Sequence, residues 1–281
     1  MHPELLRIGS LALRSYGLFM ALGFALGITV LVLRGRARGL PAVRMVDLSL
    51  VMVVTGMLGG RLLYALTHAS EFALEPWRVL WPVQADGSLG LQGFVYYGGI
   101  GLALPVAAWL VRRWRLDPWT VLDAGAPALA LGTAVGRLGC FLNGCCFGHP
   151  TEGWCGMVFP PASQAGSVFP GTPIHPTQLY IAADNLLIAV VLLFIERRGG
   201  RFDGALIGTY LVLTGLTRWF EDLFRYYESS MVVLRGVAFD LTVNHLIGLV
   251  LVVVGVVIII TGRKRGASNQ DRDGGSRWSR A

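Results

Sequence analysis

Charge is scarce in this sequence. Only 15% of its 281 residues are Asp, Glu, Lys or Arg, against roughly 25% in soluble globular chains. With 54% hydrophobic residues and a mean hydropathy of +0.58, that shortfall excludes an ordinary soluble domain. Lysine is almost missing: of 24 basic residues, Lys264 is the single lysine. A net charge of +7 would suit a nucleic-acid partner, but the arginines fall in short clusters between apolar runs. That is the pattern of membrane topology rather than of a binding stripe, so no nucleic-acid partner is expected. Cysteine is absent outside 140–155, and no internal repeat is visible. No small-residue cleavage site is set off after the first apolar run, which therefore reads as a retained helix.

What remains is a series of apolar runs. A helix needs about 20 mostly apolar residues to cross a bilayer. Segments 16–33, 45–66, 94–111, 119–138, 178–195, 204–220 and 243–261 qualify, which predicts an all-α polytopic protein with about seven spans. Arg34, Arg36, Arg38 and Arg44 follow the first span. Arg112, Arg113 and Arg115 follow the third, Arg197, Arg198 and Arg201 the fifth, and Arg263, Lys264 and Arg265 the seventh. With seven spans all four clusters share one side, and the positive-inside rule makes it cytoplasmic. The amino terminus is then outside and the carboxyl terminus inside. Residues 1–265 are expected to form one membrane domain, with 266–281 a disordered tail, polar and rich in Gly, Ser, Asp and Arg.

The stretch 136–148, GRLGCFLNGCCFG, ends the fourth span. It holds Arg137, Asn143, four glycines including Gly148, and three of the four cysteines. A charge at membrane depth is costly and is usually kept for a partner. Arginine with glycine-freed backbone N–H groups suits a buried anion such as a phosphate; the plainer alternative is an arginine that snorkels to water. Other polar groups gather at the predicted outer ends of spans. They are Arg61 in GGRLLY, Tyr96 and Tyr97 before Gly98 and Gly99, His175 in HPTQLY with Gln178, Asp184 with Asn185, and Arg218 with Glu221, Asp222 and Arg225. A structural ion pair between Arg218 and Asp222, at i, i+4, is one bland reading. Asp184 and Asn185 read as structural hydrogen-bonding groups. Arg137 and Arg218, from separate helices at similar depth, predict an electropositive pocket for a phospholipid headgroup.

These motifs resemble the prolipoprotein diacylglyceryl transferase family of bacterial inner membranes. The signature 136–148 is joined by Ser15-Tyr16-Gly17, GGRLLY (59–64), YYGGIG (96–101), HPTQLY (175–180) and RWFEDLFR (218–225), in the family's order. The resemblance implies transfer of a diacylglyceryl group from phosphatidylglycerol to the lipobox cysteine of a preprolipoprotein, with loss of glycerol phosphate. It implies a multi-pass inner-membrane monomer whose partners are that lipid, preprolipoprotein signal peptides and the bilayer, with no cofactor and no metal. It assigns catalysis to Tyr16, Tyr97, Arg137, Arg218 and Asp222. It assigns substrate binding to Arg137, Asn143, Gly148, His175, Gln178, Arg61, Gly98 and Gly99. The chain departs from the usual pattern: Tyr97 stands for His, Cys140 for Asn, Cys145 for Glu, Thr214 for Tyr and Asp222 for Glu. Tyr97 is then expected to hydrogen-bond rather than act as the base; His175, Glu221 and Asp222 are the other candidates. A relative moving lipid to another acceptor, and a lipid-binding protein without covalent chemistry, are the alternatives.

Cys140, Cys145, Cys146 and Cys155 fall on the predicted outer side, where disulfides form. One bridge, Cys146–Cys155 or Cys145–Cys155, is the expectation. A zinc site with His149 and a catalytic thiol are the alternatives; the spacing C-x4-C-C-x8-C matches no familiar zinc pattern.

Overall fold

The computed structural model describes residues 4–8, 11–72, 75–79, 95–198, 202–227, 232–234 and 241–277. It is helical: α1 (Ser15–Ala37), α2 (Ala42–Thr67), the short α3 (Ala69–Phe72), α4 (Tyr96–Arg113), α5 (Pro118–Asn143), the short α6 (Gln164–Val168), α7 (Thr177–Arg197), α8 (Ala205–Asp222) and α9 (Val243–Arg277). Strands are confined to connecting segments. β1 (Glu4–Ile8) pairs with β2 (Leu11–Arg14), and β3 (Val232–Leu234) with β4 (Leu241–Thr242).

Every segment expected to span is a helix. Among the described residues, five are long and apolar enough to cross a membrane: α1, α2, α5, α7 and the Val243–Arg265 part of α9. The expected count of seven is not reached on that measure. α4 and α8 have 18 residues each, and charges at their ends shorten the apolar stretch: Arg112 and Arg113 in α4, Arg218, Glu221 and Asp222 in α8. The α9 assignment continues to Arg277, into the residues whose composition reads as a disordered tail.

The chain divides into two compact units. One comprises Met1–Leu5, Leu13–Leu31 and Leu122–Ala281, the other Leu6–Ala12 and Val32–Val121. In the second unit α2 and α4 touch through glycine: a Cβ on Gly59 would strike the Gly98 carbonyl, and one on Gly98 the Gly59 carbonyl. Small residues let helix backbones approach this closely. In the first unit α1 meets α5 the same way, with a Gly23 Cβ falling 2.7 Å from the Gly132 oxygen. The core there joins Ala126 and Ala130 of α5, Ile188, Ala189 and Leu192 of α7, and Leu206 and Ile207 of α8.

Asp123 ties α5 to α8. Its carboxylate accepts the backbone N–H groups of Gly204 at 3.0 Å, Leu206 at 3.0 Å and Ile207 at 2.9 Å. Gly204 precedes α8 and is left-handed at φ 88°, so it brings no capping side chain of its own. A carboxylate at a helix amino terminus satisfies orphan donors and complements the dipole.

Candidate active site

The signature begins as helix and ends as a turn. Asp117 caps α5 by accepting Thr120 N–H at 2.7 Å, with Pro118 at the first helical position, where its missing donor costs nothing. At the far end Gly144, at φ 71°, takes the left-handed conformation that stops the helix. Gly144 N–H bonds the Phe141 carbonyl at 3.1 Å and Cys145 N–H bonds the Cys140 carbonyl at 3.2 Å. This pair of bonds is a Schellman motif, which folds the residue after the glycine back over the last turn. Cys145 therefore returns to Cys140, and Cys146, itself at φ 60°, follows. The three sulfurs all lie within 4.8 Å of one another.

All four cysteines are free, which corrects the expected disulfide. Cys155 is held elsewhere, its sulfur 3.8 Å from His175 Nδ1. His149, the expected partner in a zinc site, packs edge-on to Tyr226 instead.

The first turn of α7 holds the cysteine turn in place. Thr177 Oγ1 donates to the Cys146 carbonyl at 2.9 Å, and the fully buried Gln178 donates through Nε2 to the Cys145 carbonyl at 2.7 Å. Gly148 N–H donates to the His175 carbonyl at 3.0 Å. A Cβ on Gly148 would collide with the Phe224 carbonyl and with His175, which is why this position takes no side chain. His175 Nδ1 lies 3.1 Å from the Tyr180 hydroxyl. Burial, then the nearby His149, holds the His175 pKa below its ordinary value. Beneath the turn, Phe147, Phe159, Ala165 and Ile174 form a small core of their own.

Three arginines converge beside this turn. Arg137, Arg218 and Arg225 all lie close enough to Glu221 to act on it electrostatically, as does Asp184. Arg225 and Arg137 also reach Cys146; Arg137, Cys140, Cys145 and Cys146 reach Tyr16. Hydrogen bonds from the Cys140 and Cys145 thiols, then these two arginines, hold the Cys146 thiol below its ordinary pKa. Arg218 lies 3.6 Å from Glu221 and donates to Asn244 Oδ1 at 3.1 Å. The Arg218–Asp222 pair of the bland reading is not formed. Asp222 instead accepts the hydroxyls of Tyr227 and Thr242, with His245 Nδ1 3.4 Å away. Of the inner polar pair, Asn185 bonds the Ile181 carbonyl of its own helix at 2.9 Å.

The first unit thus brings together Tyr16, Arg137, Asn143, Gly148, His175, Gln178, Arg218 and Asp222. Arg61, Tyr97, Gly98 and Gly99 belong to the other unit. There Arg61 is buried, donates to the Val79 carbonyl at 2.7 Å and lies over the Phe72 ring at 5.2 Å. Gly98 and Gly99 form the α2–α4 crossing, and Tyr97 is exposed. Sequence reasoning missed Asn244, Thr242 and His245. Their signal was a polar Thr-x-Asn-His run opening an otherwise apolar span. It also missed Asp123, an acid inside an apolar stretch.

Fold and site together define a helical membrane protein with arginines and thiols gathered at the ends of its helices. Residues 3–261 match the family described as "Prolipoprotein diacylglyceryl transferase". Among similar curated proteins is the phosphatidylglycerol–prolipoprotein diacylglyceryl transferase of Clostridium tetani, 30% identical over 94% of this chain and 99% of that protein. Proteins of the same name from Cupriavidus pinatubonensis (32% identical, 96% of this chain and 95% of that one) and Chlorobaculum tepidum (28%, 99% and 95%) are also similar. The chain belongs to the prolipoprotein diacylglyceryl transferase family and is a transferase.

Proposed function

We propose that this enzyme takes the diacylglyceryl group of phosphatidylglycerol and joins it to the lipobox cysteine of preprolipoproteins, in the bacterial inner membrane. The observation that carries this reading is the convergence of Arg137, Arg218 and Arg225 around Glu221, beside the turn that ends the signature. The relatives' printed names supply the substrates. Guanidinium groups gathered at the ends of two helices suit a phosphodiester headgroup. The acceptor thiol loses its proton, because the thiolate is the nucleophile. Its sulfur attacks the glyceryl carbon, the carbon–oxygen bond breaks, and glycerol phosphate leaves with the electron pair. Arginines facing the departing phosphate stabilise the charge that develops on it.

In this reading Arg137 and Arg218 hold the phosphate, and Tyr16 hydrogen-bonds at the same place. Asn143, Gly148, His175 and Gln178 bind substrate beside the cysteine turn. Asp222 anchors the end of α8. The family resemblance assigns Tyr97 to catalysis and Arg61, Gly98 and Gly99 to substrate binding. The chain crosses the membrane seven times, amino terminus out and carboxyl terminus in, and acts as a monomer. The test is to incubate membranes holding the protein with phosphatidylglycerol and a lipobox peptide and to follow glycerol phosphate. Release is expected to require the peptide thiol and to vanish in Arg137→Ala. Near-normal turnover in that variant would remove the phosphate role.

A further inference from the structure

Three thiols meet at the end of α5. Cys140 lies in the last turn of the helix, and the Schellman turn returns Cys145 and Cys146 onto it, so that all three sulfurs fall within 4.8 Å of one another. Tetrahedral zinc has Zn–S bonds of about 2.3 Å, which separates bound sulfurs by about 3.8 Å. Small side-chain rotations close the difference. Linear spacing hides the group, because a turn rather than a Cys-x-x-Cys knuckle assembles it.

We propose that Cys140, Cys145 and Cys146 bind one thiophilic cation, Zn²⁺, as thiolates, and that its fourth position receives an incoming thiol. Three features argue for it. Among the described residues, no His, Cys, Asp or Glu joins the three as a fourth ligand, and a three-ligand site is the open, reactive kind rather than the closed structural kind. Three thiolates on Zn²⁺ carry one net negative charge, and Arg225 and Arg137 lie close enough to Cys146 to offset it. Tyr16 and Arg137, both assigned to the substrate, border the same sulfurs. Each coordinating thiol releases its proton to solvent. A thiol arriving at the fourth position does the same, so it is delivered as a thiolate beside the arginines. This role rests on the transferase reading; the binding of zinc does not.

The test separates the two. The full chain, purified under reducing conditions in detergent, is stripped of metal, incubated with Zn²⁺, desalted and analysed for zinc. One zinc per chain is expected. It should be lost in Cys140→Ser/Cys145→Ser/Cys146→Ser and kept in Cys155→Ser. No zinc in the wild type, or an equal content in the triple variant, overturns the site. If the triple variant fails to fold, Cys146→Ser alone should bind at least tenfold more weakly; unchanged affinity has the same overturning force. The Co²⁺ form reads the open position. A lipobox peptide is expected to shift the visible cobalt bands, and its Cys→Ala counterpart is not; no shift with the thiol peptide overturns thiol capture. Zinc binding without any glycerol phosphate release would sink the transferase reading and leave the site standing.

Discussion

Gly144 carries the turn from which the cysteine arrangement follows. A side chain there must adopt φ 71° and would also meet Ser163, whose Cβ lies 2.6 Å from the place of an added one. The left-handed conformation alone costs roughly 1–2 kcal/mol for a non-glycine residue. Gly144→Ala is therefore expected to lower thermal stability by at least about 1 kcal/mol and to separate the three thiols. Unfolding in detergent and bismaleimide cross-linking between Cys140 and Cys145 would report the two effects. His175 gives a pH dependence. Its folded pKa is lowered from an ordinary value of about 6.5, so below that pH the unfolded chain binds more protons. Stability therefore falls as pH drops below about 6.5, until the folded imidazole is protonated as well. Midpoints measured across that range should slope upward with pH, and His175→Gln should flatten the slope.

Helices were legible in the sequence because long apolar runs and arginine clusters are one-dimensional signals. The strong part of the site reading, Arg137 and Arg218 from separate helices, came from the same kind of signal: a charge where an apolar residue belongs. What the sequence hid was partner choice. Arg218 prefers Glu221 to Asp222 because Tyr227 and Thr242 already occupy the Asp222 carboxylate, and both lie on segments whose fold places them there. The cysteines were misread for a related reason. A bridge to Cys155 fitted the outer location, but the turn at Gly144 draws Cys145 and Cys146 towards Cys140 while His175 takes Cys155. Two element contacts can be tested directly. Asp123→Ala removes an acceptor serving three backbone donors; with hydrogen bonds to charged groups contributing about 1.5–3 kcal/mol, a loss of about 2 kcal/mol is expected, read as a lowered unfolding midpoint. Gly59→Val forces α2 from α4 and should cost about 1–3 kcal/mol. A variant as stable as the parent would show that the crossing relaxes freely.

At the scale of the whole molecule, α5 works as a ruler. Asp123 pins the start of α8 against one end of α5, and Glu221 marks where Arg137 and Arg218 meet at the other. The two helices therefore run in the same direction from a common origin. Arg137 stands fourteen residues beyond Asp123, about 21 Å of helix, and Arg218 twelve beyond Leu206, about 18 Å. The two lengths differ by two residues, about 3 Å, so the depth of each guanidinium is set by counting residues from a shared zero. One alanine inserted between Asp123 and Arg137 would leave the cap intact yet swing Arg137 about 100° around the helix axis. Such a chain should still insert and fold but release no glycerol phosphate. Drift in the length of either helix is therefore barred unless the other changes with it.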